Sequence, residues 1–256
     1  MADRKKYTKY FYLTISLLFV AITISCSKKI NATNVRPYTN PPSSNDTSIN
    51  AHPFTDTSLK SYLALGDSYT IGQSVPAAER FPDQTIQLLR SENIKISDPE
   101  FTATTGWTTG NLISALNSNP PQNNYSLVSL LIGVNNQYRK GSVDEYKAEF
   151  ALLLNRSIQY AGNNNKNVFV LSIPDYSATP FAHHLKNREN ISNQIDSFNT
   201  INKEISDHLG VNYLDITSIS REVSDDPELI AKDGLHPSGK QYKRWAELLA
   251  PMMKKS

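Results

Sequence analysis

From Leu59 onward, short apolar runs alternate with helix-length amphipathic segments, which predicts a sheet covered by helices on both faces. Strands are expected at residues 61–65, 127–132, 167–173 and 211–214, with a weaker one at 94–96. The runs at 125–132 and 168–173 are almost continuously apolar, as parallel strands buried on both faces require. Ligands of open parallel sheets sit beyond the carboxyl ends of the strands, so the loops after these runs are where chemistry is to be sought. Residues 81–90 read as a helix with Pro82 in its first turn and Ile86 and Leu89 inward. A capping box of Ser142 and Glu145 opens the next clear stripe, Val143, Tyr146, Phe150, Leu153, Leu154 and Ser157. Two further stripes follow, Ile191, Ile195, Phe198, Ile201, Ile205 and Leu209, then Tyr242, Trp245, Leu248, Leu249 and Met252. All are expected to face the core.

Residues 1–58 break this pattern. Arg4, Lys5, Lys6 and Lys9 precede a 14-residue apolar run over 11–24, short for a membrane span and arranged as a secretory signal. Cys26, the only cysteine, follows at once, and its placement resembles the lipobox of bacterial lipoproteins, in which the thiol is acylated and begins the mature chain. Thr23 stands where that motif has an aliphatic residue, and a plain signal peptide or an uncleaved anchor is the alternative. Residues 27–58 are rich in Asn, Ser, Thr and Pro and too poor in large apolar groups to offset their ordering entropy. They read as a flexible tether reaching on the order of 30 Å. The expected organisation is a signal over 1–25, a tether over 26–58 from acylated Cys26, and one domain over 59–256. Such a protein would be extracytoplasmic, held to a bacterial membrane at its periplasmic or cell-surface face by the lipid alone.

Composition narrows the function. The 256 residues are 39% hydrophobic and 20% charged, enough for a substantial core. Cleavage before Cys26 would remove four of 26 basic residues and one of 24 acidic ones, leaving a nearly neutral chain. No basic stripe with interleaved aromatics follows, which argues against nucleic acid as a partner. A single cysteine permits no intramolecular disulfide.

Candidate chemistry begins in YLALGDSYTIG, residues 62–72, where an apolar run stops at Gly66-Asp67-Ser68. A serine at that point is either a helix cap or a nucleophile lifted off a sheet edge. Asp233 and His236, three apart before the last helix, can be aimed the same way by a turn, so that the acid orients one ring nitrogen and frees the other as a base; the alternative is a surface or helix-capping histidine. Competing motifs fail. GxxxxGK at 234–240 lacks the Ser or Thr that would hold magnesium, since Gln241 follows. No GxSxG elbow is present. His183-His184 has no spaced Asp, Glu or Cys companions and reads as a polar loop pair rather than a metal site. Asp225, Asp226 and Glu228 around Pro227 read as a solvated helix start, not a glycosidase pair.

These residues, with two further blocks, resemble the SGNH, or GDSL-type, hydrolase family over residues 62–253. Gly66-Asp67-Ser68 is similar to its first block, Thr105-Gly106-Trp107-Thr108-Thr109 to its second, Gly133-Val134-Asn135-Asn136 to its third and Asp233/His236 to its last. Thr108, Thr109 and Leu112 favour Gly106 over Gly110 as the second-block glycine. Tyr69 replaces the leucine of GDSL and Asn136 the aspartate of GxND, departures expected to affect packing and turns rather than chemistry. The resemblance implies a three-layer α/β/α, flavodoxin-like fold with a central five-stranded parallel sheet. It also implies a catalytic triad of Ser68, Asp233 and His236. The implied oxyanion donors are the backbone N–H groups of Ser68 and Gly106 and the side-chain amide of Asn135. No metal or organic cofactor is implied. The expected function is a serine esterase, with a carbohydrate acetylesterase foremost. The alternatives are a lysophospholipase or short-chain lipase, or a binding lipoprotein that has lost turnover. The expected partner is a small ester or acylated carbohydrate, and the protein is expected to be a monomer. Tyr176, Phe181 and His183, in the loop 174–187, are the candidates for a substrate pocket.

Overall fold

A computed structural model describes residues 59–122 and 124–256. The expected signal, Cys26 and the expected tether lie outside the described residues. The strands are β1 (Tyr62–Gly66), β2 (Glu100–Ala103), β3 (Leu127–Leu131), β4 (Val168–Leu171) and β5 (Asn212–Leu214). The helices are α1 (Ser68–Ile71), α2 (Phe81–Ser91), α3 (Thr109–Ser118), α4 (Val134–Tyr138), α5 (Val143–Tyr160), α6 (Arg188–His208), α7 (Thr217–Arg221) and α8 (Gly239–Lys254).

The strands form one parallel sheet in the order β2-β1-β3-β4-β5, with helices on both sides. Every residue of β1, β3 and β4 is buried, which is why their sequences run apolar without alternation. On one side α2 packs with α8, and the other group is α3, α5 and α6. The strand order reverses direction between β1 and β3, and in such sheets the crevice beyond the carboxyl ends at that point takes the ligand. Gly66, the last residue of β1, pairs with Leu131 of β3 and Ala103 of β2, so three loops leave the sheet side by side.

The edge strand lies later than the sequence predicts. Ile96 makes only an isolated bridge to Lys60, and the ladder forms at Glu100–Ala103. An edge strand buries less of itself, and half-exposed EFTA carries little apolar signal, whereas Ile96 is buried beside a single bridge that no ladder extends. The last stripe is also narrower than expected. Tyr242, Trp245, Leu249 and Met253 are buried, but Leu248, about 120° around the helix from the centre of that face, is 45% exposed. Val143 is exposed as well, and Ser142 caps α5 through the Glu145 N–H without the reciprocal bond. The reciprocal box forms instead at Thr108 and Asn111, opening α3.

Candidate active site

β1 ends at Gly66, and Asp67 caps the single turn of α1 by accepting the Tyr69 N–H at 3.0 Å. Ser68 is therefore the first residue of that turn, at the carboxyl edge of the sheet. Its N–H has no hydrogen-bond partner among the described residues, as expected for a first-turn donor. Asp67 itself is only 1% exposed, and burial, opposed by the Tyr69 N–H, pushes its carboxyl up to about 7.

The loop before α8 supplies the imidazole. Asp233 Oδ1 accepts the backbone N–H groups of Leu235 and His236, at 2.9 and 3.0 Å, in a turn made possible by Gly234 in the left-handed region. Its Oδ2 meets His236 Nδ1 at 2.6 Å and accepts the Ser74 hydroxyl, also at 2.6 Å. Partial burial raises the Asp233 carboxyl, but the bonds from Ser74, His236 and the two backbone groups outweigh it and bring it down to about 2. With Nδ1 donating to the carboxylate, Nε2 is left as the basic nitrogen. His236 is 7% exposed and its imidazole packs on the Tyr69 ring, centroids 5.3 Å apart, so the residue at the leucine position of the GDSL block forms one wall for the imidazole.

The turns after β2 and β3 are stitched together. Asn135 donates one amide hydrogen to the Trp107 carbonyl at 3.0 Å. Asn136 accepts the Thr109 N–H at 3.0 Å and donates to Thr109 Oγ1 at 2.6 Å, which is the task of the asparagine that departs from GxND. Arg139 donates to the Gly106 carbonyl at 2.7 Å. Gly106 has φ 82°, and its N–H, like that of Ser68, carries no partner among the described residues. Glycine at 133 is forced by space as well as by φ, because a Cβ there would sit 2.6 Å from the Tyr146 hydroxyl and 2.7 Å from Ile173 Cδ1.

A cleft of about 220 Å³ gathers Ser68, Gly106, Asn135 and His236, and its walls include Tyr69, Val134, Tyr138, Tyr176, Phe181 and Leu235. Of the three pocket residues predicted from sequence, Tyr176 and Phe181 are in this cleft. His183 is not, and lines a separate depression with Pro180, Pro227 and Lys232. It lies in the same 3₁₀ turn as Phe181, where residues two apart lie about 120° apart around the axis and face different ways. Tyr138, on the turn after β3, completes an aromatic cluster with Tyr176 and Phe181, at centroid distances of 6.0 and 6.4 Å. Sequence reasoning missed Tyr138, Arg139 and Ser74. The first two are within six residues of Gly133, and only Ser74 lacks any local signal. Among the described residues no group of three or more His, Cys, Asp or Glu is placed to hold a metal ion.

Residues 64–244 match the GDSL-like lipase/acylhydrolase family. No curated protein sequence matches the chain. Among solved structures, the chain is similar to Axe2, an acetylxylan esterase from Geobacillus stearothermophilus, with 18% identity and a TM-score of 0.59 over 76% of this chain and 94% of that one. It is similar to TesA with 16% identity and a TM-score of 0.60, over 77% and 99% of the two chains. The esterase EstA from Pseudoalteromonas sp. gives 17% identity and 0.57, over 77% and 97%. At these identities the likeness is one of fold.

Proposed function

We propose that this chain, which belongs to the GDSL-like lipase/acylhydrolase family of ester-bond hydrolases, cleaves short-chain carboxylic esters by a Ser68-His236-Asp233 acyl-enzyme mechanism. Ser68 Oγ attacks the ester carbonyl while His236 Nε2 takes its proton. Collapse of the tetrahedral intermediate expels the alcohol, which receives that proton, and leaves the acyl group on Ser68. Water, activated by the same imidazole, then releases the acid. Asp233 holds the tautomer and stabilises the imidazolium. The N–H groups of Ser68 and Gly106 and the second amide hydrogen of Asn135 receive the oxyanion, where loss of one donor typically costs about 10²- to 10³-fold in rate. The observation that carries this reading is the convergence of Ser68, Gly106, Asn135 and an Asp233-bound His236 on one cleft.

A cleft of about 220 Å³ supports a small acyl group, and the 52%-exposed ring of Tyr138 at the aromatic cluster supports an alcohol with a flat apolar face, such as a sugar ring. The acetylxylan esterase activity named for Axe2, on the same fold, agrees with an acetylated carbohydrate. The test is hydrolysis of p-nitrophenyl acetate by wild type and Ser68→Ala. The variant is expected to lose at least about 10³-fold in kcat, and equal rates would overturn the triad. In a chain-length series run beside acetylated xylan and a lysophospholipid, rates should fall as the acyl group grows. Preference for the lysophospholipid would overturn the acetyl reading.

A further inference from the structure

The loop after α1 does more than connect. Its Gln73 N–H donates to the Ser68 carbonyl at 3.0 Å, and its Gln73 Oε1 accepts the Thr105 hydroxyl at 2.7 Å, one residue before Gly106. The next residue, Ser74, reaches across 159 positions of sequence to Asp233 Oδ2, the same oxygen that holds His236. Ser74 does this at φ 70°. Among the described residues six non-glycine residues have positive φ, and four of them are asparagine, which tolerates that region; serine does not share the tolerance. A strained backbone at a functional site persists only where the surroundings over-determine it. Here the Gln73 bonds fix the residue before it, and the hydroxyl is aimed at the acid.

We propose that Ser74 is a positioning residue for the reaction, a fourth member of the chain Ser74-Asp233-His236-Ser68 that fixes the rotamer of the acid by donating a hydrogen bond to the oxygen that meets His236. This rests on the esterase reading above. Asp233 needs four donors to fill its lone pairs, and the structure supplies two from its own turn, one from the imidazole and one from Ser74. Without the last, Oδ2 is free to rotate away from Nδ1, and the imidazole loses its orientation. The effect belongs in kcat, because Ser74 does not line the cleft.

Ser74→Gly separates this role from a merely structural one. Glycine removes the hydroxyl but relaxes the left-handed backbone, so the thermal midpoint should stay level or rise while kcat falls about tenfold with KM unchanged. Ser74→Asn, which accepts the backbone and carries an amide donor, should recover part of the loss. The Asp233 carboxyl, followed by carbon NMR in protein labelled at aspartate, should titrate about one pH unit higher in Ser74→Gly than in wild type. A kcat within twofold of wild type, or a lowered kcat with an unmoved Asp233 titration, would overturn the proposal. Wild-type turnover equal to that of Ser68→Ala would instead sink the esterase reading, and the Asp233 titration would then decide the Ser74 link by itself.

Discussion

Two carboxylates stand near Ser68, and the fold shifts them in opposite directions. Asp67, next to Ser68, is almost wholly buried and has one backbone N–H on Oδ1, and burial pushes its carboxyl up to about 7. Asp233, which faces Ser74 and His236, is partly exposed and has four donors, which bring its carboxyl down to about 2. Depth alone would give only the sign for Asp67. The difference teaches that burial and the number of donors aimed at a carboxylate, rather than its place in the sequence, decide the direction in which its ionisation is shifted. The ionised one touches the imidazole and can stabilise its cation. The buried one caps a helical turn, a task that either protonation state of the carboxyl or a neutral amide can perform.

The largest effect that could break this contrast is on turnover. Asp233→Asn should lower kcat by about 10³- to 10⁴-fold through the wrong tautomer, whereas Asp67→Asn, which keeps the capping oxygen, should stay within about tenfold of wild type. Steady-state kinetics on p-nitrophenyl acetate distinguishes them, and similar losses in both would erase the distinction. A smaller effect is on stability. Asp67 is raised from 3.8 to about 7, so between those values the folded state binds more protons than the unfolded one, and stability falls as pH rises through that window and then levels. Asp233 has the opposite sign: its contribution is present above 3.8 and lost as pH falls toward 2. Thermal midpoints from pH 4 to 8 should therefore decline less in Asp67→Asn than in wild type, and parallel curves would show that burial does not penalise Asp67 as inferred. The smallest effect sharpens the contrast from outside it. Tyr138 touches neither acid, so Tyr138→Ala should raise KM about threefold with kcat within twofold, and a change confined to kcat would place that ring at the reacting centre rather than on the rim.

Much of the site was legible before the fold was known. Gly66-Asp67-Ser68 and the Asp233/His236 pair each carry a local signal, a strand end followed by a turn or a short spacing that one turn can satisfy, whereas Asn135 is legible only through the family resemblance. The Asn136 departure is expected to bear on packing and turn hydrogen bonds, and its side chain, from within α4, ties down Thr109 at the start of α3. His183 was misplaced because adjacency in sequence does not fix facing within a 3₁₀ turn. Ser74 was invisible because its partner lies in another part of the chain and a lone serine in a polar loop has no pattern. In the core, Asn199 and Asn202 were missed within the α6 stripe. The first brackets the Ile173 backbone and Thr217, and the second accepts the Tyr146 hydroxyl at 2.5 Å.

By itself the sequence determined the elements and their order, since apolar continuity in β1, β3 and β4 and helical periodicity in α2, α5, α6 and α8 are local consequences of which faces must be buried. It also determined the residue types that an acyl transfer needs. Only the tertiary structure decided where β2 pairs, which aromatic rings share the cleft, and in which direction each acid is shifted. Those outcomes depend on desolvation and on donors brought from distant loops, and such energies exist only once the chain has folded.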